Sequence, residues 1–358
     1  MQTSILEFVR RKGRYLVDSD SGNAQSVDST PMFVDLFCGI GGASQGAIDA
    51  GYKVCIAVDS CAEALKVHKQ NHPDCAHMCL SLPGRVELPL PTGGPLHIHG
   101  SPPCTDLSKM NQQRNPESRE RATSLITWFL KFAMDSRATS WTMEQVSTPI
   151  VRATLDALLY PKSPYRNRFA YAVVDLSKLG VPQFRKRLIA GPPDLIARVR
   201  RMNYKRRSVC DAVPTPRGTH VRNEVVTSDI KRQRVDGQGN IYFGHKRYYD
   251  DDCCIPVTGP AHTVTARHGL QWASPGTGAK LLRMTPSEIA LIQTFPPTYK
   301  LGTRVGSARR GVGNAIPPLA MQRILQQAEK RTSGRECRVC VFADPGSPSF
   351  DPLRHVRM

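Results

Sequence analysis

The feature that most constrains this chain is a short apolar segment followed by a glycine-rich turn and a helix-forming stretch. Residues Phe33–Phe37 have the apolar, β-type character of a buried strand. The glycines of Cys38–Gly42 let the backbone bend sharply and approach a ligand. Ala43–Ala47 suits the start of a helix, where free N–H groups bind polar ligands. This order predicts a strand–turn–helix unit of an α/β fold.

A second strand and helix follow this unit directly. Tyr52–Val58 is again β-type and ends at Asp59, and Cys61–His68 has a helical pattern. An acidic residue there, about 20 positions after the glycine turn, is placed to bind the two hydroxyls of a ribose. Glycine turns also close strand–helix connections that bind no ligand, so this element alone leaves nucleotide binding open.

Cys104 ends the run Gly100–Cys104, which follows the short extended segment Pro95–His99. A thiol at a strand exit, on a loop stiffened by two prolines, is placed to react. A lone cysteine is more often a small buried hydrophobic residue. The other motifs of the chain decide between these two interpretations.

Further candidates lie downstream, and each has an ordinary alternative. Glu144 follows the extended run Thr139–Met143 and is also explained as a strand-end carboxylate. Arg185 and Arg187 alternate along a segment of β type, where they would also suit a solvated strand face. Asn314 follows a glycine, a pair that favours turns.

The motifs taken together resemble those of the cytosine-C5 DNA methyltransferase family, in the family's order, over about residues 33–330. The matching segments are Asp35–Gly42, Pro103–Cys104, Met143–Val146, Gly180–Arg187, Pro260–Thr265, Thr285–Pro296 and Gly313–Pro318. Several ordered motifs are far more specific than any one of them, and their joint occurrence outweighs the ordinary alternatives.

The resemblance implies a chemical role for four residues. Cys104 would add as a thiolate to carbon 6 of cytosine, so that carbon 5 becomes nucleophilic enough to take a methyl group. Glu144 would protonate or hydrogen-bond ring nitrogen 3, which requires the acid form of the carboxyl or a shared proton. Arg187, helped by Arg185, would hold the carbonyl oxygen and a neighbouring phosphate. The sequence does not identify the base that removes the carbon 5 proton.

The resemblance also implies S-adenosyl-L-methionine as cofactor and a Rossmann-like class I methyltransferase fold. That fold is α/β, with a mostly parallel sheet flanked by helices, and a small irregular target-recognition domain is added to it. The residues expected to bind the cofactor are Asp35, Phe37, Gly39, Gly41, Gly42, Asp59, Ser60, Pro103, Asn314 and Ala315.

Three positions depart from the family pattern. Thr105 follows the nucleophile where the family commonly has Gln, and Gln145 replaces an Asn that helps to fix the nucleophile loop. Met78–Leu82 lacks the acid of a Gly-Asp-Ile type element, which leaves the adenine contacts undefined. None of these changes removes a group that the reaction requires.

The charge of the chain predicts a polyanionic partner. The formal net charge is +19 and the isoelectric point about 9.7, which suits a polyanion. The resemblance implies that this partner is double-stranded DNA with a cytosine-containing site. Between Arg185 and Arg247 there are 16 Lys and Arg against 5 Asp and Glu. This is where the family places target recognition, and its cluster Arg198–Arg207 is predicted to contact phosphates. Because the target base must leave the stack, Gln112, Gln113 and Arg114 are candidates to fill the gap.

The predicted organisation has five parts. Residues 1–30 form an N-terminal extension, 31–190 the catalytic domain, 191–280 the target-recognition region, 281–331 a return to the catalytic domain, and 332–358 a tail. Pro317–Arg331 is predicted to be a helix with Ala320, Ile324 and Ala328 on one face and Met321 and Leu325 beside them. We expect it to pack back against the first strand and to bring Asn314 to the cofactor. No segment suggests a membrane span, and we expect a monomer.

Eleven cysteines without a secretory signal favour a reducing compartment with access to DNA. That compartment would be the cytoplasm of a prokaryote, or a nucleus or viral factory. Cys337–Cys340 has no second pair at zinc-site spacing, and the His72–Cys79 group lies among ordinary helix and strand residues. We therefore predict no metal.

Two alternatives to DNA methylation remain. One is an RNA-directed enzyme of the same family, as in its tRNA-methylating branch, although the Cys-Phe-Thr triplet of that branch is absent. The other is a catalytically inactive DNA-binding homologue, against which the retention of Cys104, Glu144 and Arg187 argues.

Overall fold

The computed structural model describes residues 30–83, 90–91, 94–104, 107, 116–214, 220–223, 233–235, 241–243, 255–266, 270–273 and 282–329. The N-terminal extension up to residue 29 and the tail from residue 332 lie outside these ranges. So do Thr105, the candidate gap-filling residues Gln112, Gln113 and Arg114, and the Cys337–Cys340 pair.

Seven strands form the main sheet. They are β1 (Met32–Leu36), β2 (Lys53–Asp59), β3 (Ala76–Cys79), β4 (Leu96–Gly100), β5 (Ser140–Val146), β6 (Ala170–Asp175) and β7 (Lys186–Gly191). Their order in space is β3-β2-β1-β4-β5-β7-β6. Only β7 runs antiparallel to its neighbours, β5 and β6. The carboxyl ends of β1, β2, β4 and β5 therefore meet at one edge of the sheet, together with the amino end of β7.

Nine α-helices accompany the strands. They are α1 (Gly42–Asp49), α2 (Ala62–Asn71), α3 (Pro116–Asp135), α4 (Pro149–Leu159), α5 (Pro193–Arg201), α6 (Val209–Ala212), α7 (Pro286–Ile292), α8 (Val305–Asn314) and α9 (Pro318–Glu329), counted over the described ranges. None of these helices combines the length and apolar character needed to cross a membrane.

Both faces of the main sheet are covered by helices. In β1, Val34 packs into a core that includes Phe129 of α3 and Leu155 of α4. The neighbouring Phe33 points to the opposite face and packs with helices α1 and α9. Buried residues on both faces are typical of a parallel sheet between two helical layers. The predicted fold, a mostly parallel sheet flanked by helices, is confirmed.

The C-terminal helix α9 joins two apolar clusters, although only packing against the first strand was predicted for it. Ala320 and Ile324 pack with α5 and with strands β6 and β7. Met321 and Leu325, on the adjoining face, pack with α1 and with Phe33 of the first strand. The helix thereby fixes α1 and the glycine turn before it.

A second, smaller set of strands follows the main sheet. An antiparallel sheet contains β8 (His220–Asn223), β11 (Ile255–Pro256), β12 (Leu270–Ala273) and β13 (Leu282–Arg283), and a hairpin pairs β9 (Gln233–Val235) with β10 (Ile241–Phe243). Trp272 of this sheet is 1% exposed and packs in one cluster with Ile289 of α7. By contrast, α5 buries Leu195, Ile196 and Val199 in the cluster of the main sheet, although it lies within residues 191–280.

The close approach of α1 and α9 generates a prediction about stability. A methyl group on Gly46 would lie 2.3 Å from the Pro318 carbonyl oxygen. Since backbone must move to admit it, we expect Gly46→Ala to lower the free energy of unfolding by about 1–3 kcal/mol. Gly306→Ala is the matched control, because a methyl group on Gly306 of α8 meets nothing closer than 3.7 Å. Urea denaturation measures both, and equal effects would contradict the packing argument.

Candidate active site

The nucleophile loop leaves the carboxyl end of β4. Ser101 N donates to the Leu36 carbonyl at 3.2 Å, which ties the loop to the end of β1. Pro102 is buried, Pro103 is exposed and Cys104 is partly buried. Leu107 N donates back to the Cys104 carbonyl at 3.0 Å. The thiol is thereby held at a strand exit, as the sequence predicts.

Gln145 supports this loop from the neighbouring strand. Its Nε2 donates to the Pro102 carbonyl at 3.0 Å, and its Oε1 accepts from Val146 N at 2.8 Å. The residue is 1% exposed, so the hydrogen bond is shielded from competing water. The longer amide thus reaches the nucleophile loop, the function that the family pattern gives to Asn.

Glu144 and Arg187 form a buried ion pair next to the loop. Arg187 Nε lies 2.8 Å from Glu144 Oε1, and the side chains are 14% and 8% exposed. Glu144 lies inside β5 rather than at its end, while Arg187 is the second residue of β7. In the antiparallel register Val146 lies opposite Arg187. The arginine is therefore two pairs away from Glu144 and on the same face of the sheet. A charge-assisted bond of this kind fixes both groups in orientation.

The charges around Cys104 act on its thiol in opposite directions. Burial raises the pKa of Cys104 above its ordinary value of 9.0, and the carboxylate of Glu144 raises it further. The guanidinium groups of Arg187 and Arg185 lower the pKa, but by less. The protonated thiol therefore predominates at neutral pH, and substrate binding or proton transfer must favour the thiolate.

Arg185 occupies a different place from the one expected. It is 1% exposed, and its Nη atoms donate to the carbonyls of Val264, Gly313 and Ala315 at 2.6, 3.0 and 3.1 Å. Burial lowers the pKa of Arg185 to about 9, so the side chain is still a cation at neutral pH. Arg185 was expected to help hold the substrate and a phosphate, but its Nη groups are instead bonded to three backbone carbonyls. These bonds join segments that are distant in sequence.

Two buried glutamines extend the same network. Gln183 Oε1 accepts from Val264 N at 3.0 Å, and Gln183 Nε2 donates to Gln293 Oε1 at 2.5 Å. Gln293 Nε2 in turn donates to the carbonyls of Val312 and Ala315 at 3.0 and 2.6 Å. These bonds hold residues 183–187, 261–265 and 312–316 at the edge where β7 begins.

The glycine turn has the backbone geometry predicted for ligand approach. Gly39 and Gly41 have positive φ angles of 55° and 98°, which glycine adopts without strain. Phe37, before them, is also in the left-handed region with a φ of 59°. Asp59 of β2 closes the turn, because its Oδ2 accepts from Gly39 N at 2.8 Å. Its Oδ1 accepts from Cys61 N at 2.8 Å. The acidic residue at the end of the second strand is thus directly linked to the turn.

Asp35 lies beneath the turn at the start of a buried polar chain. Its Oδ2 accepts from Ser44 Oγ at 2.7 Å, and His68 Nε2 lies 2.9 Å from the same hydroxyl. Since Ser44 donates to Asp35, His68 Nε2 donates to Ser44, and His68 Nδ1 then accepts from His77 at 2.8 Å. Burial lowers the pKa of His68 well below its ordinary value, so this histidine is neutral.

The other oxygen of Asp35, Oδ1, is buried and has no hydrogen-bond partner. Burial raises the pKa of Asp35 to about 7, despite the opposing effect of the bond from Ser44. An unsatisfied carboxylate oxygen is costly in an apolar interior. A cation or a hydrogen-bond donor near the turn would relieve this cost.

The remaining candidate residues lie around the same turn. A methyl group on Gly42 would meet the Ile316 carbonyl at 2.3 Å and Ala315 Cβ at 3.0 Å, so the segment after α8 packs directly on the turn. Asn314 ends α8 and is exposed, and Ser60 after β2 is also exposed. The structure therefore brings Ala315 to the turn and leaves Asn314 and Ser60 open to solvent.

Sequence reasoning missed the support beneath these groups. Neither Ser44 nor His68 belongs to a motif that predicts this contact. The one signal in the sequence is that Ser44 follows the glycine turn by two residues. Within the described ranges, no group of three or more His, Cys, Asp or Glu side chains is arranged to hold a metal ion. His72, from the zinc candidate, instead lies 3.1 Å from the hydroxyl of Tyr299, which donates to the Ile40 carbonyl.

The main sheet has seven strands, of which one is antiparallel, and it carries a glycine turn and a thiol at its carboxyl edge. This combination defines a class I methyltransferase. The sequence model of one family, C-5 cytosine-specific DNA methylase, matches residues 31–191 and 197–330. The chain belongs to this family, and it is a cytosine-C5 methyltransferase of DNA.

Curated relatives agree with this assignment. The chain is 26% identical over 293 residues to the type II methyltransferase M.HgiDI of Herpetosiphon aurantiacus, covering 79% of this chain and 89% of the relative. It is 25% identical over 337 residues to M.AplI of Arthrospira platensis, with 89% and 91% covered.

Solved structures support the fold alone, since their sequences are distant. A putative DNA modification methyltransferase encoded within a prophage of E. coli has a TM-score of 0.56 at 17% identity, covering 84% of this chain and 99% of that one. A DNMT2 of Spodoptera frugiperda has a TM-score of 0.54 at 16% identity, with the same coverage.

The charges around the thiol generate a prediction about its reactivity. In the free protein, alkylation of Cys104 by iodoacetamide should increase with pH to above pH 9, because the thiolate is the reactive form. Glu144→Gln removes a negative charge and should move this profile to lower pH, whereas Arg187→Gln should move it to higher pH. Peptide mass spectrometry separates Cys104 from the exposed Cys61, Cys79 and Cys210. Identical profiles in the three proteins would refute this electrostatic coupling.

The hydrogen bond from Gln145 generates a prediction about turnover. Gln145→Glu keeps the size and the acceptor for Val146 N but removes the donor to Pro102. We expect kcat for methylation to fall about 10- to 100-fold, because a nucleophile displaced by about 1 Å loses its alignment. The KM for the methyl donor should change little. Unchanged kcat in a folded variant would show that the loop does not depend on this bond.

Proposed function

We propose that the protein transfers a methyl group from S-adenosyl-L-methionine to carbon 5 of cytosine in duplex DNA, with Cys104 as the covalent nucleophile. The observation that carries this proposal is the joint placement of the Cys104 loop, the Glu144–Arg187 ion pair and the glycine turn at one edge of the sheet. The mechanism also requires that the target base be flipped out of the helix, since carbon 6 is inaccessible within the stack.

The residues around the glycine turn fit the proposed cofactor. Asp35 Oδ1 is a buried acceptor without a partner, and S-adenosyl-L-methionine carries an ammonium group and a sulfonium. Asp59, at the end of β2, is placed for the ribose hydroxyls, and the ring of Phe37 offers an apolar surface. Gly39 and Gly41 admit close approach to the backbone. When bound, the cofactor supplies an electrophilic methyl group.

The first task of this chain's residues is the addition to carbon 6. The Cys104 thiol gives its proton to the neighbouring carboxylate of Glu144, whose charge acts on this thiol. The sulfur then forms a bond to carbon 6 of the flipped cytosine as the double bond between carbons 5 and 6 opens. Electron density moves through the ring towards nitrogen 3 and the carbonyl oxygen. Carbon 5 thereby acquires the enamine character that it needs to take up the methyl group.

Glu144 and Arg187 stabilise the charge that this addition creates. Glu144 donates a proton or a strong hydrogen bond to ring nitrogen 3. Arg187, oriented by its bond to Glu144, donates to the carbonyl oxygen of the base, in a largely buried site where such bonds are strong. After methylation a base removes the carbon 5 proton, and the sulfur leaves carbon 6 with its electron pair.

We further propose that target recognition belongs to the small sheet and hairpin of residues 220–283, together with the residues between their strands. Helix α5, within the range 191–280 first expected for this region, packs against the main sheet, so we place the boundary after α6. The protein would act as a monomer wherever the cell or virus that encodes it keeps its DNA.

Two alternatives make different predictions. An RNA-directed enzyme would use the same chemistry on a single-stranded cytosine. A catalytically inactive homologue would bind DNA without a covalent step, although the ion pair and the positioned thiol support an active site.

A mechanism-based trap tests the proposal. A duplex in which 5-fluorocytosine replaces cytosine blocks the final proton removal, so with S-adenosyl-L-methionine the protein should form an adduct that resists denaturation. Mass spectrometry should locate the adduct at Cys104. Cys104→Ser should form no adduct yet bind the same duplex with affinity within about twofold.

The other outcomes separate the alternatives. An adduct with the matching RNA and none with DNA would favour the RNA-directed enzyme. No adduct with either nucleic acid, from a protein that binds DNA, would favour the inactive homologue. An adduct at a different cysteine would refute the assigned nucleophile.

A further inference from the structure

An open basic pocket of about 460 Å³ lies on the outer part of the main sheet, apart from the catalytic groups. It is lined by Ser147, Arg152, Val173, Asp175, Lys178 and Lys186. These residues come from the ends of β5, β6 and β7, from the first turn of α4 and from the short 3₁₀ helix after β6. Five separate elements therefore converge on this pocket.

The charge of the pocket is positive, because three cations face one carboxylate. Arg152, Lys178 and Lys186 are all exposed, and within the described part of the chain none of the three forms an ion pair. The one acidic residue, Asp175, uses Oδ1 to accept from Ser177 N and Arg185 N at 3.1 and 3.3 Å. Three cations outnumber this one carboxylate, so they still repel one another, and a bound anion would offset that repulsion.

The pocket lies at the same edge of the sheet as the catalytic centre. Lys186 directly precedes Arg187, and successive side chains of a strand point to opposite faces. Lys186 pairs with Asp175 in the antiparallel register, while Arg187 pairs with Val146. The two basic side chains thus flank one edge, with Arg187 directed to Glu144 and Lys186 to the pocket.

The pocket also joins the basic run that was predicted to contact phosphates. Tyr204 N donates to the Lys178 carbonyl at 2.7 Å, and Arg206 Nε donates to Ser177 Oγ at 3.2 Å. Residues 204–207 therefore lie beside Lys178. Positive charge continues from this run, across the end of β6, to the start of β7.

We propose that this pocket binds a backbone phosphate of duplex DNA close to the flipped cytosine. The inference rests on the proposed function and deepens it, because it assigns a phosphate contact to the main sheet, outside the target-recognition region. A phosphate in the pocket would fix the strand on the β6 side while Arg187 and Glu144 act on the base. Phosphate contacts of this kind contribute affinity and fix the position of the protein along the duplex, but they give no sequence specificity.

The chemistry of the pocket favours a phosphodiester over a small free anion. Its three cations are long, solvated side chains at an open surface, which bind a polyanion mainly by releasing condensed counterions. A site for a free anion typically encloses the ligand with fixed donors. RNA carries the same phosphate, so the experiment must compare the two nucleic acids.

The test is the salt dependence of DNA binding by the variant Arg152→Gln, Lys178→Gln, Lys186→Gln. Each lost phosphate contact lowers the slope of log K against log salt by about 0.9. We expect a slope smaller by about 1–2 and a Kd for duplex DNA at least 10-fold higher at low salt. The matched control is Lys53→Gln, Lys66→Gln, Lys162→Gln, which removes three exposed lysines away from the carboxyl edge and should change neither quantity.

A second measurement locates the phosphate. Neutral methylphosphonate linkages, placed one at a time along the duplex, should weaken wild-type binding at one or two positions near the target cytosine. The pocket variant should be insensitive at those same positions. Equal loss in both proteins at every position would show that the pocket holds no phosphate.

The remaining outcomes also decide the matter. Unchanged slope and Kd in the variant would overturn the proposal, and so would weakened binding of RNA with unchanged binding of DNA. At saturating duplex the variant should still form the 5-fluorocytosine adduct at Cys104. If the wild-type protein formed no adduct, the proposed function would be refuted instead. Failure of the pocket proposal is therefore distinguishable from failure of the proposed function.

Discussion

The hydrogen bonds of the buried Arg185 guanidinium are the interactions on which the candidate site depends. A desolvated cation is expensive unless its donors are used, and Arg185 uses its Nη donors on three carbonyls that lie 79 to 130 positions away in sequence. The segment around Val264 and the one around Ala315 must therefore both meet the start of β7. Gln183 and Gln293 secure the same junction with neutral bonds. Folding of the distant C-terminal part is thus coupled to the strand that carries Arg187.

The catalytic groups are held by this frame rather than by their own loop. Cys104 lies on an irregular segment, yet Gln145 fixes the carbonyl of Pro102 from a central strand. Glu144, the residue before Gln145, points to the other face and pairs with Arg187. One strand therefore positions the proposed nucleophile through Gln145 and presents the group proposed for ring nitrogen 3, Glu144, on the opposite face.

The electrostatics of the free protein restrain its chemistry. Burial and Glu144 both raise the pKa of the Cys104 thiol, so a reactive thiolate is not maintained when no substrate is bound. Beneath the glycine turn, Asp35 is likewise held with one oxygen unsatisfied and with its pKa raised to about 7. A ligand that brings a positive charge or a hydrogen-bond donor to Asp35, and a substrate that reacts with the thiolate, would each offset the cost of the free state.

The sequence by itself determined the order of the elements and the strand–turn–helix at Gly39–Gly42. It also singled out Cys104, Glu144 and Arg187 as candidate catalytic residues. These follow from local periodicity, turn chemistry and ordered motifs, which a chain carries in its linear form. Only the tertiary structure decided that Arg185 is a buried tie, that Gln145 reaches Pro102, that Ser44 and His68 support Asp35, and that Arg152, Lys178 and Lys186 share a pocket. Those relations join residues separated by up to 130 positions, and no local pattern encodes which distant carbonyl or charge a side chain will meet.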